Sequence, residues 1–174
     1  MKKLALDTYY LEEDDAYTVG VLFDRWTDSE PQEIITTHTH NFASYIPGEF
    51  YKRELPCILD LLKKVKLEEI GVIILDGFLR LKQDDSKEVK DGLGMHLKPY
   101  LPEHIKLIGV AKSMFCNNNE ISTPVLRGEA INPLWVQGEG YSNGEAAELI
   151  KNMYGNYRIP QILKTLDKLT KGKC

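Results

Sequence analysis

No apolar run in the chain approaches the length of a membrane span, and the opening Met1-Lys2-Lys3-Leu4-Ala5-Leu6-Asp7 is too short to be a signal peptide. Cysteine is scarce. Cys57, Cys116 and Cys174 are odd in number and show no C-x-x-C spacing, which argues for reduced thiols in a cytoplasm and against a structural zinc. Positive charge is not in excess: 22 Lys and Arg stand against 26 Asp and Glu, for a net −4. That disfavours a bulk polyanion binder, although an acidic active site lowers net charge while a basic rim still meets phosphate. A phosphate-cradling glycine loop and a nucleophile–base motif are also missing, which leaves little support for a small-molecule α/β enzyme. With no repeat, low-complexity tract or linker, the 174 residues read as a single domain, 1–174. A chain of this size can bury about 70% of its unfolded surface without staples.

Hydrophobic periodicity gives the order of elements. Lys3 to Tyr9, Tyr17 to Trp26 and Glu33 to His38 read as three strands with short connections, an antiparallel meander. Residues 52 to 65 place Leu55, Ile58, Leu59, Leu62 and Val65 at helical spacing. Gly71 to Leu75 is a continuous apolar strand of the kind buried on both faces, and Lys106 to Ala111 is a second. Residues 86 to 98 read as a helix interrupted by Gly92 and Gly94, and helices follow at about 143–154 and 160–171, the last with Pro160 in its first turn. The predicted fold is α/β, a mixed sheet in βββαβαβ order with a C-terminal extension, flanked by helices.

That order is similar to the one in ribonuclease H-like nucleases, and it distributes carboxylates suggestively. Asp7 falls on the first strand, Glu54 on the first helix, Asp76 at the end of the fourth strand and Asp167 on the last helix. Carboxylates that converge need a cation between them, because two of them about 4 Å apart repel by roughly 4 kcal/mol at an effective dielectric near 20. Hard oxygen ligands suit Mg²⁺ or Mn²⁺ and not zinc. Without convergence, each acid is a solvated surface residue. His38 and His40 stand two apart on one strand face, the spacing of a metal pair, but no third soft ligand is evident in the sequence. His96, in a glycine-containing segment, reads as structural.

Several motifs narrow the reading. They are Tyr45-Ile46-Pro47-Gly48, Arg53-Glu54-Leu55-Pro56, Leu75-Asp76-Gly77, Gly92-Leu93-Gly94-Met95-His96-Leu97, Ile108-Gly109-Val110-Ala111-Lys112-Ser113 and Tyr157-Arg158-Ile159-Pro160. In these, together with Asp7, the chain resembles endonuclease V, a ribonuclease H-like family that nicks nucleic acid near a deaminated base, chiefly hypoxanthine. The resemblance implies a Mg²⁺-dependent phosphodiester hydrolase, with Mn²⁺ as an alternative ion, acting on DNA or RNA. It implies Asp7, Glu54 and Asp76 as metal ligands, Asp167 as a fourth, and Lys112 as a cation at the phosphate. Tyr45 matches a wedge that stacks where the damaged base is displaced, fixed by Pro47, and the resemblance makes Ile46, Pro47 and Gly48 substrate-binding beside it. Such stacking is worth on the order of 1–3 kcal/mol, comparable with the cost of unstacking a mispaired base. Gly48, Gly77 and Gly92 would allow backbone to approach the flipped base closely.

The chain also departs from the family pattern. Phe78-Leu79-Arg80-Leu81 follows Asp76-Gly77 where the family has a histidine and then a further histidine, proline and arginine. Leu134-Trp135-Val136-Gln137-Gly138-Glu139-Gly140 stands in place of a second Gly-His element, and Ile162-Leu163-Lys164 in place of Pro-Thr-Arg. Two readings remain open on this basis. One is an endonuclease of DNA repair; the other is a catalytically weakened or inactive nucleic-acid-binding protein on the same scaffold.

Overall fold

The computed structural model describes residues 1–12, 15–40, 51–85 and 87–171. Three strands open the fold: β1 (Lys2–Glu12), β2 (Asp15–Phe23) and β3 (Glu33–His40), paired antiparallel in sequence as the meander predicts. After α1 (Tyr51–Leu62), the chain re-enters the sheet beside β1 as β4 (Ile70–Asp76), in parallel, with Leu6 opposite Leu75. A parallel neighbour requires a crossover, and α1 supplies it. Then β7 (Lys106–Ala111) adds in parallel to β4, with Val110 opposite Asp76. Across seven strands the order is β3-β2-β1-β4-β7-β9-β8, with β8 at Thr123–Val125 and β9 at Leu134–Glu139.

Both faces of the central strands are covered, which is why β4 and β7 carry no polar alternation. One face packs α1 through Leu4, Leu6, Ile58, Leu61, Ile73 and Leu107. The other packs α3 (Asn143–Lys151) and α4 (Gln161–Lys171) through Val21, Ile74, Val136, Ala147, Ile162 and Leu166. A reciprocal capping box starts α3: Ser142 Oγ accepts from Glu145 N at 3.0 Å and Glu145 Oε1 from Ser142 N at 2.9 Å. Pro160 stands one residue before α4 and its carbonyl accepts from Lys164 N, so it serves as the cap and not as the first helical residue.

Two expectations fail. Residues 86–98 are not one helix: a two-residue hairpin, β5 (Arg80–Leu81) with β6 (Lys90–Asp91), comes first, and only Leu93–Leu97 forms α2. Gly92 caps α2 and Gly94 lies inside it, and both allow close approach to Leu79: a Cβ at Gly92 would stand 2.9 Å from the Leu79 carbonyl oxygen. Sequence reading also omits β8 (Thr123–Val125) and β9 (Leu134–Glu139), which extend the sheet, β9 antiparallel to β7 and β8 antiparallel to β9. β9 escapes notice because Gln137 and Gly138 interrupt its apolar residues, although both are buried.

Candidate metal centre and nucleic-acid site

Parallel pairing sets the carboxyl ends of β4 and β7 beside the middle of β1, where its ladder with β4 stops at Leu6. The carboxyl ends of parallel strands are the usual position of a ligand site. Asp7 follows Leu6 on β1, Asp76 ends β4, and Lys112 lies just past β7. α4 crosses β1 and β2 and brings Asp167 to the same place. As a result Asp7, Asp76 and Asp167 each offer a carboxylate oxygen, and these three atoms lie within 4.8 Å of one another. This acidic cluster could hold a metal ion.

The Lys112 ammonium neutralises part of the cluster. Its Nζ donates to Asp167 Oδ1 and Oδ2 at 2.7 and 2.8 Å and to Asp76 Oδ2 at 3.5 Å. Asp7 Oδ1 accepts from Thr8 N at 2.9 Å, and Thr170 of α4 reaches its Oδ2 at 3.5 Å. The Lys112 backbone is itself held: Arg158 Nη2 donates to its carbonyl and to that of Pro133, and Arg158 Nε to that of Asn132. Arg158 of the Tyr-Arg-Ile-Pro motif thus positions Lys112 from a distant part of the chain.

Glu54 sits in the first turn of α1, where a helix N-terminus favours negative charge, yet it is 7% exposed. Burial, then Asp7 and Asp76, push its pKa up from 4.5 to about 8. Asp7 rises from 3.8 to about 7, through burial first and Asp76 second. Burial likewise raises Asp76, opposed by Lys112 and reinforced by Asp167. Burial works against the charge of Lys112, but its bond to Asp167 and the nearby Asp76 and Asp7 hold its pKa above the usual value. Carboxylates so strained against ionisation mark a site with more negative charge than one ammonium can satisfy.

A cavity of about 340 Å³ opens beside these acids, bordered by Tyr51, Glu54, Asp76, Phe78, Gly92 and Phe115. Its floor turns at Gly77, whose φ of +137° suits glycine alone. Tyr51 is stacked on His96 with ring centroids 3.5 Å apart, which gives that histidine a packing role. Two buried polar residues fix the neighbouring loop. Gln137 Oε1 accepts from Leu79 N at 2.8 Å and Arg80 N at 2.9 Å, while its Nε2 donates to Arg80 O at 3.2 Å and Ser122 Oγ at 3.0 Å. Asn118 donates to Arg80 O at 2.9 Å and accepts from Lys82 N at 2.6 Å. Neither residue stands in a recognisable motif, so sequence reasoning misses both.

Of the residues singled out in the sequence, Asp7, Asp76, Asp167 and Lys112 come together, Glu54 joins them through its coupling to Asp7 and Asp76, and Gly77 and Gly92 line the adjoining cavity. Tyr45, Ile46, Pro47 and Gly48 lie outside the described residues. Among those described, no helix is long and apolar enough to cross a membrane.

No family model matches the chain. Curated proteins do. It is 29% identical to endonuclease V of Rippkaea orientalis over 148 residues, covering 74% of this chain and 61% of that protein. To endonuclease V of a Nostoc species it is 30% identical over 148 residues, covering 74% and 63%. The chain therefore spans about three fifths of the length of these relatives. In fold it is similar to the crystal structure of Ciona intestinalis endonuclease V in complex with a 24mer DNA containing an inosine followed by a ribo-adenosine. There the TM-score is 0.75 at 21% identity, over 99% of this chain and 85% of that one. In sequence over about three quarters of its length, and in its mixed, ribonuclease H-like sheet, the chain is thus similar to endonuclease V proteins.

Proposed function

We propose that the protein is a metal-dependent endonuclease that hydrolyses a phosphodiester near a deaminated base, hypoxanthine or inosine, in DNA or RNA. The observation that carries this reading is the meeting of Asp7, Asp76 and Asp167 within 4.8 Å where the β1–β4 ladder ends. The donor set fits a hard divalent ion: it is all oxygen, partly buried and short of positive charge. Asp7, Glu54, Asp76 and Asp167 would hold Mg²⁺, or Mn²⁺ in its place. Such an ion polarises the scissile phosphate and lowers the pKa of an attacking water.

The chain's own residues do the rest. Lys112 supplies positive charge at the rim, where a phosphodiester would approach and where negative charge develops on the reacting oxygens. The cavity between Phe78, Phe115 and Gly92 offers flat apolar walls of the kind that accept a displaced base. Tyr45, in the segment just before α1, is assigned the wedge by resemblance, with Pro47 restricting it and Ile46 and Gly48 assigned to the substrate. A deaminated base pairs weakly, so a wedge and an apolar cavity would favour it over a normal pair.

One observation favours a second reading, a binding protein with weakened or no catalysis. Phe78 and not histidine borders the cavity immediately after Asp76-Gly77. Incubation with Mn²⁺ and end-labelled inosine-containing DNA and RNA, single and double stranded, distinguishes the two. Nicking near inosine that is absent from matched inosine-free strands supports the nuclease. Tight binding without nicking supports the alternative.

A further inference from the structure

The geometry points to a second metal site, independent of the carboxylate centre, in which Asp15, His38 and His40 bind a borderline transition-metal ion such as Zn²⁺. The sequence offers the His-x-His pair without a third ligand; the fold supplies it across the strand. In the β2–β3 register Asp15 lies opposite His40 and Tyr17 opposite His38. Strand alternation puts both imidazoles on the face that Asp15 shares. One ligand atom from each of the three lies within 4.8 Å of the others. His40 Nδ1 is 3.2 Å from Asp15 Oδ1, and His38 Nε2 also contacts that oxygen.

Several features distinguish this arrangement from a chance surface ion pair. The imidazole rings of His38 and His40 are 4.0 Å apart, close enough for one ion to take a nitrogen from each. Two neutral imidazoles and a carboxylate are a donor set suited to Zn²⁺ and its neighbours, with room for a further ligand. His38 is also pre-oriented, stacked on Tyr17 with centroids 4.3 Å apart and planes 11° from parallel. All three ligands stand on paired strands and not on loops, so little ordering is needed when an ion binds. Asp15 precedes Val19, the register partner of Asp7, by four residues. At strand spacing this puts the cluster about 13 Å from Asp7 along the sheet, too far to share an ion with it. The two centres also differ in chemistry, one all oxygen and the other mostly imidazole nitrogen. A bound ion would clamp the end of β2 to the edge strand β3.

The test is Zn²⁺ and Co²⁺ titration at neutral pH of tag-free protein, followed by calorimetry and by Co²⁺ visible absorption. Expected are one Zn²⁺ per chain in the wild type, retention of that binding in a D7N/D76N variant, and loss of about 100-fold or more in affinity in H38Q/H40Q. The single variant H40Q, at a more exposed side chain, guards against misfolding and should lose affinity with an unchanged circular dichroism spectrum. Zn²⁺ binding that survives H38Q/H40Q, that disappears in D7N/D76N, or that is undetectable in the folded wild type overturns the proposal. Because D7N/D76N removes the carboxylate centre, failure of this site and failure of the nuclease reading are separately visible.

Discussion

Glu54→Gln should make the metal-free protein more stable at alkaline pH, although it removes a residue assigned to the site. The reasoning follows from the raised pKa. Below about pH 4.5 the carboxyl is protonated in folded and unfolded chains alike. Above it the unfolded chain ionises freely, while the folded protein must keep the proton until about pH 8. The stability contributed by the neutral form is therefore lost progressively across that window as pH rises. A pKa moved from 4.5 to about 8 corresponds to at most about 5 kcal/mol. Part of this is repulsion from Asp7 and Asp76, and Asp7 titrates in the same range, so about half is a fair working figure. Glutamine keeps the shape and does not titrate. At about 2–4 °C per kcal/mol for a chain of this size, the midpoint of the variant should gain about 5–10 °C on the wild type between pH 5 and pH 8. Mn²⁺ should reverse the order at pH 8 by stabilising the intact site more, since ligand binding to the native state alone adds RT ln(1 + [L]/Kd). Thermal unfolding by circular dichroism at several pH values, with chelator and then with Mn²⁺, makes the measurement. Parallel pH profiles for the two proteins would refute the account of Glu54 as a buried, charge-crowded carboxylate.

Three further outcomes are expected. Asp76→Asn should lower metal-dependent nicking of inosine-containing strands by at least about 100-fold with little change in the far-ultraviolet spectrum; undiminished nicking would count against the proposed chemistry. Arg127, 4% exposed, donates to the carbonyls of Lys151, Met153, Gly155, Tyr157 and Arg158, so Arg127→Met should destabilise by about 3 kcal/mol or more in urea unfolding. Gln137→Leu strands the amides of Leu79 and Arg80 and should cost about 2–3 kcal/mol, with a weakened cavity seen as poorer binding of inosine-containing strands; an unfolding midpoint like that of the wild type would refute the positioning role.

Much of the frame is legible in the sequence because its strands are extreme cases. Ile70–Asp76 and Lys106–Ala111 are apolar apart from the terminal Asp76 and Lys106 since both faces are covered, and α1 buries Ile58 and Leu62 of its expected stripe, with Leu61 in addition. β9 is illegible for the opposite reason, because Gln137 is buried by bonding a loop 57 residues away and so looks polar in sequence. Arg127 is hidden in the same way. Its burial depends on five backbone carbonyls between residues 151 and 158 that no local pattern announces.

The sequence by itself determines which chemistries are available: carboxylates at the ends of apolar strands, a lysine after another, and motifs shared with a nuclease family. Tertiary structure decides which of them meet. Parallel register brings Asp7 and Asp76 side by side, the packing of α4 adds Asp167, and antiparallel register turns an unpromising His-x-His into a three-ligand set with Asp15. The reason is that charge repulsion and coordination act over a few ångströms of space, whereas the groups concerned are separated by up to 160 positions along the chain, as Asp7 and Asp167 are.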